Sequence, residues 1–387
     1  MSTLTTILLI LLWVSLIYNA SAAFLTGCKT FRYRDVMVDL DADRIATQPF
    51  QPRISLVVRC DLKKTSEQIP KIQELLALNY SRYETIIILD SSRGVEAFAR
   101  ISDYFQMREV PIPEPLNELW YPTRAVYRSR SSLFKRLIIV DKEFHSYDDL
   151  RHTGAAVCRS DYMLFLASID NQLTRNSLAR LAVMEMRDPD RHIHIIRAAA
   201  RYNCNGPFFK NFFRMMADLC NMRRLYVGGA LPGVDFGQFT ILEDITGQEG
   251  KDEYVPQPQM YLQRKNTIRT YFSQLAPAMI YNSFQGKVIA GMELLIVFMF
   301  WATGLHALFE PEVTGSEYFL YCILMLPLLS SIFSIFVGEI LLKRTYNTKL
   351  ILSLLAVSLV ENIAFCIFRP WLWIISLFTR PRRKIPV

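Results

Sequence analysis

The sequence lacks the cysteine and histidine patterns that define several common protein classes. Its seven cysteines are scattered without any CxxC pair, and its five histidines form no cluster with them. This excludes the disulfide framework of small secreted domains and the common zinc-binding patterns. A reducing compartment is therefore the simplest expectation.

A basic surface for nucleic acid is also missing. The net charge of the 387 residues is +8, but most of the excess lies beside apolar runs, and no basic stripe is interleaved with aromatic residues. One basic cluster, Arg380 to Lys384, closes the chain. Lys and Arg placed next to apolar runs are typical of the cytoplasmic side of membrane proteins, so we expect a membrane partner and no nucleic acid.

The first apolar run, residues 4–24, carries no charged residue and is long enough for a transmembrane anchor, which takes ~20 residues. Basic residues follow the run rather than precede it, which favours an uncleaved anchor with its N-terminus outside. A cleaved signal peptide is the alternative, because the small residues from Asn19 to Ala23 resemble a cleavage site.

Residues 288–368 contain three further runs of membrane-spanning length, and we expect three transmembrane helices there. These runs are 288–309, 318–342 and 350–368. The connection 310–317 is acidic and the connection 343–349 is basic, which places the main domain in the cytoplasm. The sequence thus predicts a multi-pass integral protein of the cell membrane.

Two shorter segments flank these runs. Residues 269–286 mix aromatic and apolar residues with few charges, which predicts a helix lying along the membrane interface. Residues 369–387 form a basic amphipathic tail, and its side of the membrane stays open because strict alternation of the spans and the basic cluster point to opposite sides.

Residues 50–268 have the pattern of an α/β domain. Short apolar segments alternate with segments of helical periodicity, which predicts a mostly parallel sheet covered by helices on both faces. The predicted strands are 54–58, 83–89, 136–140 and 162–166, and the predicted helices are 66–78, 94–106 and 147–159. Ligands bind beyond the carboxyl ends of such strands, where Asp90, Asp141 and Asp170 lie.

Several short motifs follow one another in this domain in a characteristic order. RISLVVR at 53–59 opens the first strand, the second strand ends in LDSS at 89–92, and GAAVCRSDY at 154–162 leads into the fourth strand. Gly228-Gly229 and Glu243-Asp244 follow. In this order the motifs resemble those of membrane-bound family 2 glycosyltransferases of the bacterial polysaccharide-synthase-like kind. The resemblance implies a Rossmann-like GT-A fold.

The resemblance also implies roles for individual residues. Asp90 and Ser92 would bind the nucleotide of a sugar donor, and Arg269 would steady its diphosphate, although the family's QxxRW motif is reduced here to that arginine. Asp244, preceded by Glu243, would be the catalytic base that deprotonates the acceptor hydroxyl.

The metal site implied by the resemblance is degenerate in this chain. Members of the family hold a divalent cation (Mg or Mn) on the donor diphosphate with a DxD motif. Without gaps that motif falls on Ala167-Ser168-Ile169. A one-residue bulge would leave Asp170 as the remaining metal ligand.

Structural interpretations stand beside these functional ones. Asp90 at a strand end could be a turn or cap residue, and Asp170 could cap a following helix. Glu243-Asp244 could be a solvated turn, and Arg269 could contact lipid phosphates.

Two hypotheses of function follow. The first is an inverting hexosyltransferase of family 2 type that moves a sugar from a nucleotide-sugar donor, UDP-linked, to a lipid-linked or polysaccharide acceptor at the membrane. The second is a catalytically degenerate glycosyltransferase-fold subunit that serves as a partner or scaffold in a membrane complex, as the damaged motifs would indicate.

Overall fold

A computed structural model gives the fold of the chain. It describes residues 48, 50–62, 68–119, 121–186, 193–204, 206–229, 239–245, 251–262 and 348–378, with a few positions between 267 and 336 that stand alone or in runs of up to three. The predicted anchor 4–24, residue Arg269, and nearly all of 273–347 and 379–387 lie outside these residues.

Four parallel strands form the centre of a ten-stranded sheet in the described residues. Their order across the sheet is β5-β2-β1-β6, and each neighbouring pair is parallel. The strands are β1 (Ile54–Cys60), β2 (Tyr83–Leu89), β5 (Leu137–Asp141) and β6 (Tyr162–Leu166). Their side chains are almost all buried, as expected when helices cover both faces of a sheet. The α/β prediction is confirmed, and the four predicted strands agree closely with these bounds.

Antiparallel strands extend the sheet on both flanks. On one side β3 and β4 add to β5, and on the other side β9, β8, β10 and β7 continue outward from β6. Their bounds are β3 (Met107–Val110), β4 (Ala125–Ser129), β7 (Gln172–Leu173), β8 (Ile193–Tyr202), β9 (Phe239–Asp244) and β10 (Lys251–Leu262). The sheet is therefore parallel at its centre and antiparallel at its flanks.

Helices occupy the connections between the strands. The three predicted helices are present as α1, α2 and α4, and the structure adds α3, α5 and α6. Their bounds are α1 (Gln68–Leu76), α2 (Val95–Tyr104), α3 (Glu114–Asn117), α4 (Tyr147–Val157), α5 (Ser177–Met186) and α6 (Phe208–Gly229).

Helix α4 packs closely on the centre of the sheet. Its N-cap is Ser146, whose hydroxyl accepts a hydrogen bond of 3.0 Å from the backbone N–H of Asp149. Gly154 faces β1 so closely that a Cβ there would lie 2.7 Å from Cγ1 of Val57. The glycine of the GAAVCRSDY motif is therefore explained by packing.

The described residues divide into two compact units. Those from 48 to Ala200 and from Phe239 to Leu262 form the first unit, which contains the parallel centre of the sheet. Those from Arg201 to Gly229 and helix α7 (Thr348–Phe378) belong to the second. Helix α6, which lies inside the predicted 50–268 domain, is thus part of the second unit.

The described part of the chain gives no support to the predicted transmembrane helices. The run at 350–368 lies within α7, and none of the described helices is both long enough and apolar enough to cross a membrane. The runs at 4–24, 288–309 and 318–342 remain predictions, since nearly all of their residues lie outside the described ranges.

Candidate functional site

The candidate site lies at the edge of the sheet where the parallel strands end. From β1 the chain adds β2 and then β5 on one side, and β6 then pairs with the other side of β1. The strand order therefore reverses between β1 and β6, and such a switch point opens a crevice that binds ligands in α/β sheets. Asp90, Asp141 and Asp170 follow or end β2, β5 and β6 at this carboxyl edge.

Asp90 is the centre of a closed ionic cluster. Its carboxylate is only 1% exposed. Oδ1 accepts hydrogen bonds from the hydroxyl of Ser92 at 2.6 Å and from Nη1 of Arg124 at 2.7 Å, while Nε of Arg93 lies 2.9 Å from Oδ2. Arg93 and Arg124 are 42% and 40% exposed, so they cover the carboxylate just beneath the surface.

Asp141 belongs to the same cluster and holds the turn that follows β2. Its Oδ1 accepts the backbone N–H of Ser91 at 2.9 Å, and its Oδ2 accepts the hydroxyl of Ser91 at 2.6 Å. Nη1 of Arg124 also lies 3.5 Å from Oδ1. Two buried acids and two half-exposed arginines thus balance one another's charge.

The electrostatics of the cluster keep Asp90 ionised. Burial raises the pKa of Asp90, but the hydrogen bonds from Ser92 and Arg124 and the charges of Arg124 and Arg93 outweigh burial and hold it below its usual value. The hydrogen bond to Asp90 in turn raises the pKa of Arg124. The predicted nucleotide-binding residues Asp90 and Ser92 are therefore brought together, with the carboxylate already bound by three neighbouring side chains.

A second group of basic side chains surrounds Phe144, in the loop after β5. The guanidinium carbon of Arg59 lies 4.8 Å from the centroid of its ring, and that of Arg93 lies 5.8 Å away. Both distances fall within the range of cation–π contacts. Arg59 thus adds positive charge near the carboxyl end of β1.

Asp170 lies in a tight turn after β6 and forms an ion pair with Lys71 of α1. Nζ of Lys71 is 2.5 Å from Oδ1 of Asp170, with side chains 25% and 38% exposed. The backbone N–H of Ile169 donates to the carbonyl of Arg59 at 2.9 Å, which fixes the turn against the end of β1. Helix α5 begins only at Ser177, so the alternative role of Asp170 as its cap is wrong.

The donor set around Asp170 does not fit a divalent cation. Hard cations take six or more oxygen ligands, usually with several carboxylates. Asp170 contributes one carboxylate, which is paired with an ammonium, and its neighbours Ser168 and Ile169 offer a hydroxyl and an aliphatic side chain. Within the described ranges, no three His, Cys, Asp or Glu side chains are grouped as metal ligands. The predicted metal role of Asp170 is thus not supported by its surroundings.

Cys60, at the end of β1, lies close to the same pair. Burial, together with the charges of Asp61 and Asp170, raises the pKa of its thiol to about 12, and Lys71 acts in the opposite direction. The thiol therefore stays protonated at neutral pH, which excludes it as a thiolate nucleophile.

Glu243 and Asp244 lie at the opposite edge of the sheet. Strand β9 runs antiparallel to β6, with Asp244 opposite Tyr162 and Leu242 opposite Leu164, and the N–H of Ile245 donates to the carbonyl of Asp161. Tyr162 of β6 is level with Ile54 of β1, and Ile54 is level with Tyr83 of β2. Tyr83 comes seven residues before Asp90. At ~3.3 Å per residue this is about 23 Å along the strands. Asp244 is therefore at the edge of the sheet opposite Asp90, and its role as catalytic base stays a prediction, while the alternative of a turn is wrong because both residues are in a strand.

Other predicted motif residues fall elsewhere. Gly228-Gly229, predicted as an acceptor-side motif, are the last residues of α6. Arg269 lies outside the described residues. The basic residues Lys71, Arg93 and Arg124 were not predicted, because none lies in a recognised motif and Arg124 precedes a strand that the sequence pattern does not reveal.

Comparisons with known proteins give weak similarities. No family model and no curated protein matches the chain. Among solved structures, it is similar to a mannosyltransferase, PcManGT from Pyrobaculum calidifontis, in complex with GDP-Man and Mn²⁺, with 11% identity, a TM-score of 0.35, and coverage of 93% of this chain and 99% of that chain. It is also similar to TarS 1-349 of S. aureus, with 9% identity, a TM-score of 0.33, and coverage of 82% and 91%. Similarities this low do not establish a function, so the function is inferred from the chain's own residues.

Proposed function

We propose that the protein is a glycosyltransferase that binds a nucleotide-sugar donor, UDP-linked, at the carboxyl edge of its sheet. The acceptor would be a lipid-linked or polysaccharide chain at the cell membrane, with the α/β unit on the cytoplasmic side. The observation that carries the proposal is the switch point between β1 and β6, beside which Lys71 and Asp170 meet.

The charges of this edge suit the diphosphate of such a donor. Arg59 is near the end of β1, Lys71 reaches the turn after β6, and Arg93 and Arg124 are both partly exposed beside β2. Guanidinium and ammonium groups are the usual protein partners of phosphate oxygens. They also offset negative charge that develops on a phosphate leaving group.

The reaction we propose is a single inverting displacement. The acceptor oxygen forms a bond to the anomeric carbon of the sugar, and the bond from that carbon to the diphosphate oxygen breaks with its electron pair. The proton of the acceptor hydroxyl passes to a carboxylate base or to water, and the nucleoside diphosphate leaves. We do not propose Asp244 as this base, because its pairing with Tyr162 puts it at the opposite edge of the sheet.

The test is a donor panel with the full-length protein purified in detergent. UDP- and GDP-sugars are incubated with the protein and a membrane lipid extract, and release of nucleoside diphosphate is measured together with radiolabelled sugar in the lipid fraction. The proposal expects one donor to be consumed with its label recovered in the acceptor. Consumption of none, with a correctly folded protein, would contradict transferase activity.

A second candidate is a nucleotide-binding partner subunit without catalysis. The separation of Asp244 from the carboxyl edge favours it, because a motif residue expected to deprotonate the acceptor is absent from the site. This candidate predicts saturable binding of UDP without donor consumption. Capture of UDP by the purified chain, with no label in any acceptor until a partner protein is added, would favour it over the first.

A further inference from the structure

The ion pair with Lys71 involves Asp170, the residue that the resemblance implies as a metal ligand. We propose that the ammonium of Lys71 takes over the role of the divalent cation, so that the site binds the diphosphate of its nucleotide without metal. This inference rests on the proposed function, since it concerns how that same donor is held.

The position of Lys71 supports this role. It lies in the first half of α1, and its ammonium reaches the turn after β6, so it lies beside the switch point between β1 and β6. The side chain is 25% exposed, which leaves the charge accessible from solvent. An ammonium is a compact point charge with three hydrogen-bond donors, and it is a common phosphate ligand.

The surroundings of Asp170 support the same reading. A carboxylate that served a divalent cation would be joined by further oxygen ligands, whereas Oδ1 of Asp170 lies 2.5 Å from Nζ of Lys71. The backbone N–H of Asp170 and the hydroxyl of Ser168 complete the turn around it. Asp170 is thereby placed to orient Lys71 rather than to bind a metal, which makes it a positioning residue.

The two roles of Asp170 predict opposite effects of one substitution. If Asp170 bound a metal, Asp170→Asn would abolish metal-dependent binding of the diphosphate. If Asp170 only orients Lys71, the same change removes a negative charge near the diphosphate and frees the ammonium from its ion pair. Affinity for the nucleotide then stays the same or rises.

The experiment is a calorimetric titration of UDP into the full-length protein in detergent, with EDTA and separately with Mn²⁺. The variants are Lys71→Ala, Lys71→Arg and Asp170→Asn. Lys135→Ala is the matched control, because Lys135 is an exposed lysine that precedes β5 at the opposite edge of the sheet. Circular dichroism of each variant checks that it is folded.

We expect UDP to bind the wild-type protein equally in EDTA and in Mn²⁺. Loss of a charge-assisted bond predicts that Lys71→Ala weakens binding about 10- to 100-fold, while Lys71→Arg restores most of the affinity. Asp170→Asn should bind at least as tightly as the wild type, and Lys135→Ala should be unchanged.

Other outcomes would overturn the inference in distinguishable ways. UDP binding that needs Mn²⁺ and is lost in Asp170→Asn would show a metal site and leave the proposed function standing. If UDP binds in EDTA and Lys71→Ala leaves its affinity unchanged, the role of Lys71 is overturned, while the proposed function still stands. Absence of nucleotide binding under both conditions, tested with UDP and GDP, would overturn both the inference and the proposed function.

Discussion

The two halves of the carboxyl edge carry the same residue type in very different settings. Beside β2 and β5, Asp90 is 1% exposed and bound by Ser92, Arg93 and Arg124. Beside β1 and β6, Asp170 is 38% exposed and its ion pair is with Lys71. The first half is a closed cluster that holds the turn after β2, and the second is an open pair that solvent reaches. Burial and the number of charged partners thus separate an acid held inside a cluster from one that is open to solvent.

Breaking the closed cluster should have the largest effect on stability. Asp90→Asn removes the negative charge that Arg93 and Arg124 neutralise. Arg124 then keeps only its 3.5 Å contact with Asp141. Loss of charged hydrogen bonds beneath the surface predicts a decrease of about 2–3 kcal/mol in the free energy of unfolding. Urea unfolding followed by circular dichroism measures it.

The control for this change is Asp103→Asn on the exposed face of α2. Isolated surface substitutions usually alter stability by less than ~0.5 kcal/mol. Equal stability of the two variants would show that the Asp90 cluster does not hold the fold and would remove the contrast between the two halves of the edge.

Acid should weaken the closed cluster in a defined range of pH. The pKa of Asp90 is lower in the folded protein than its ordinary value of 3.8. The charged form of Asp90 therefore stabilises the fold fully above pH 3.8, and this stabilisation is lost as the pH falls through the lower pKa of the folded state. The stability difference between wild type and Asp90→Asn should shrink as the pH falls from 3.8 to the folded-state value, and urea unfolding across a pH series measures it. A difference that stays constant down to pH 2 would count against an ionised Asp90.

The open pair should contribute least to stability. Partly exposed ion pairs contribute ~0–1 kcal/mol, so Lys71→Ala should change the free energy of unfolding by less than about 1 kcal/mol. Urea unfolding of this variant beside Lys135→Ala measures the difference. A loss as large as that of Asp90→Asn would mean that Lys71 is structural and would undermine its assignment to ligand binding.

The central strands of the fold could be predicted from the sequence, whereas the flanking strands could not. Strands β2 and β6 are uninterrupted apolar runs because both of their faces are covered, and their predicted and observed bounds agree. Strand β3 has the sequence MREV and its residues are partly or fully exposed, so no apolar run marks it. Strand β9 carries Glu243 and Asp244 at its end, which resembled a turn in the sequence.

The candidate site was predictable only in part for a related reason. Strand ends placed Asp90 and Asp170 correctly at one edge, because parallel strands bring their carboxyl ends together. The edge at which Asp244 lies could not be predicted, because a motif fixes only residue order, while the antiparallel pairing of β9 with β6 decides the edge. Lys71 contacts Asp170 across 99 residues of sequence, and Arg124 contacts Asp90 across 34 residues. Contacts between such distant residues leave no local pattern in the sequence.

The central claim is that the nucleotide binds at the carboxyl edge and not near Asp244. Hydrogen–deuterium exchange of the full-length protein, with and without UDP and in the presence of EDTA, tests it most directly. The account predicts slower exchange in peptides that cover residues 91–94 and 168–171 and no change in peptides that cover residues 240–245. Protection of residues 240–245 with the carboxyl edge unchanged would contradict it.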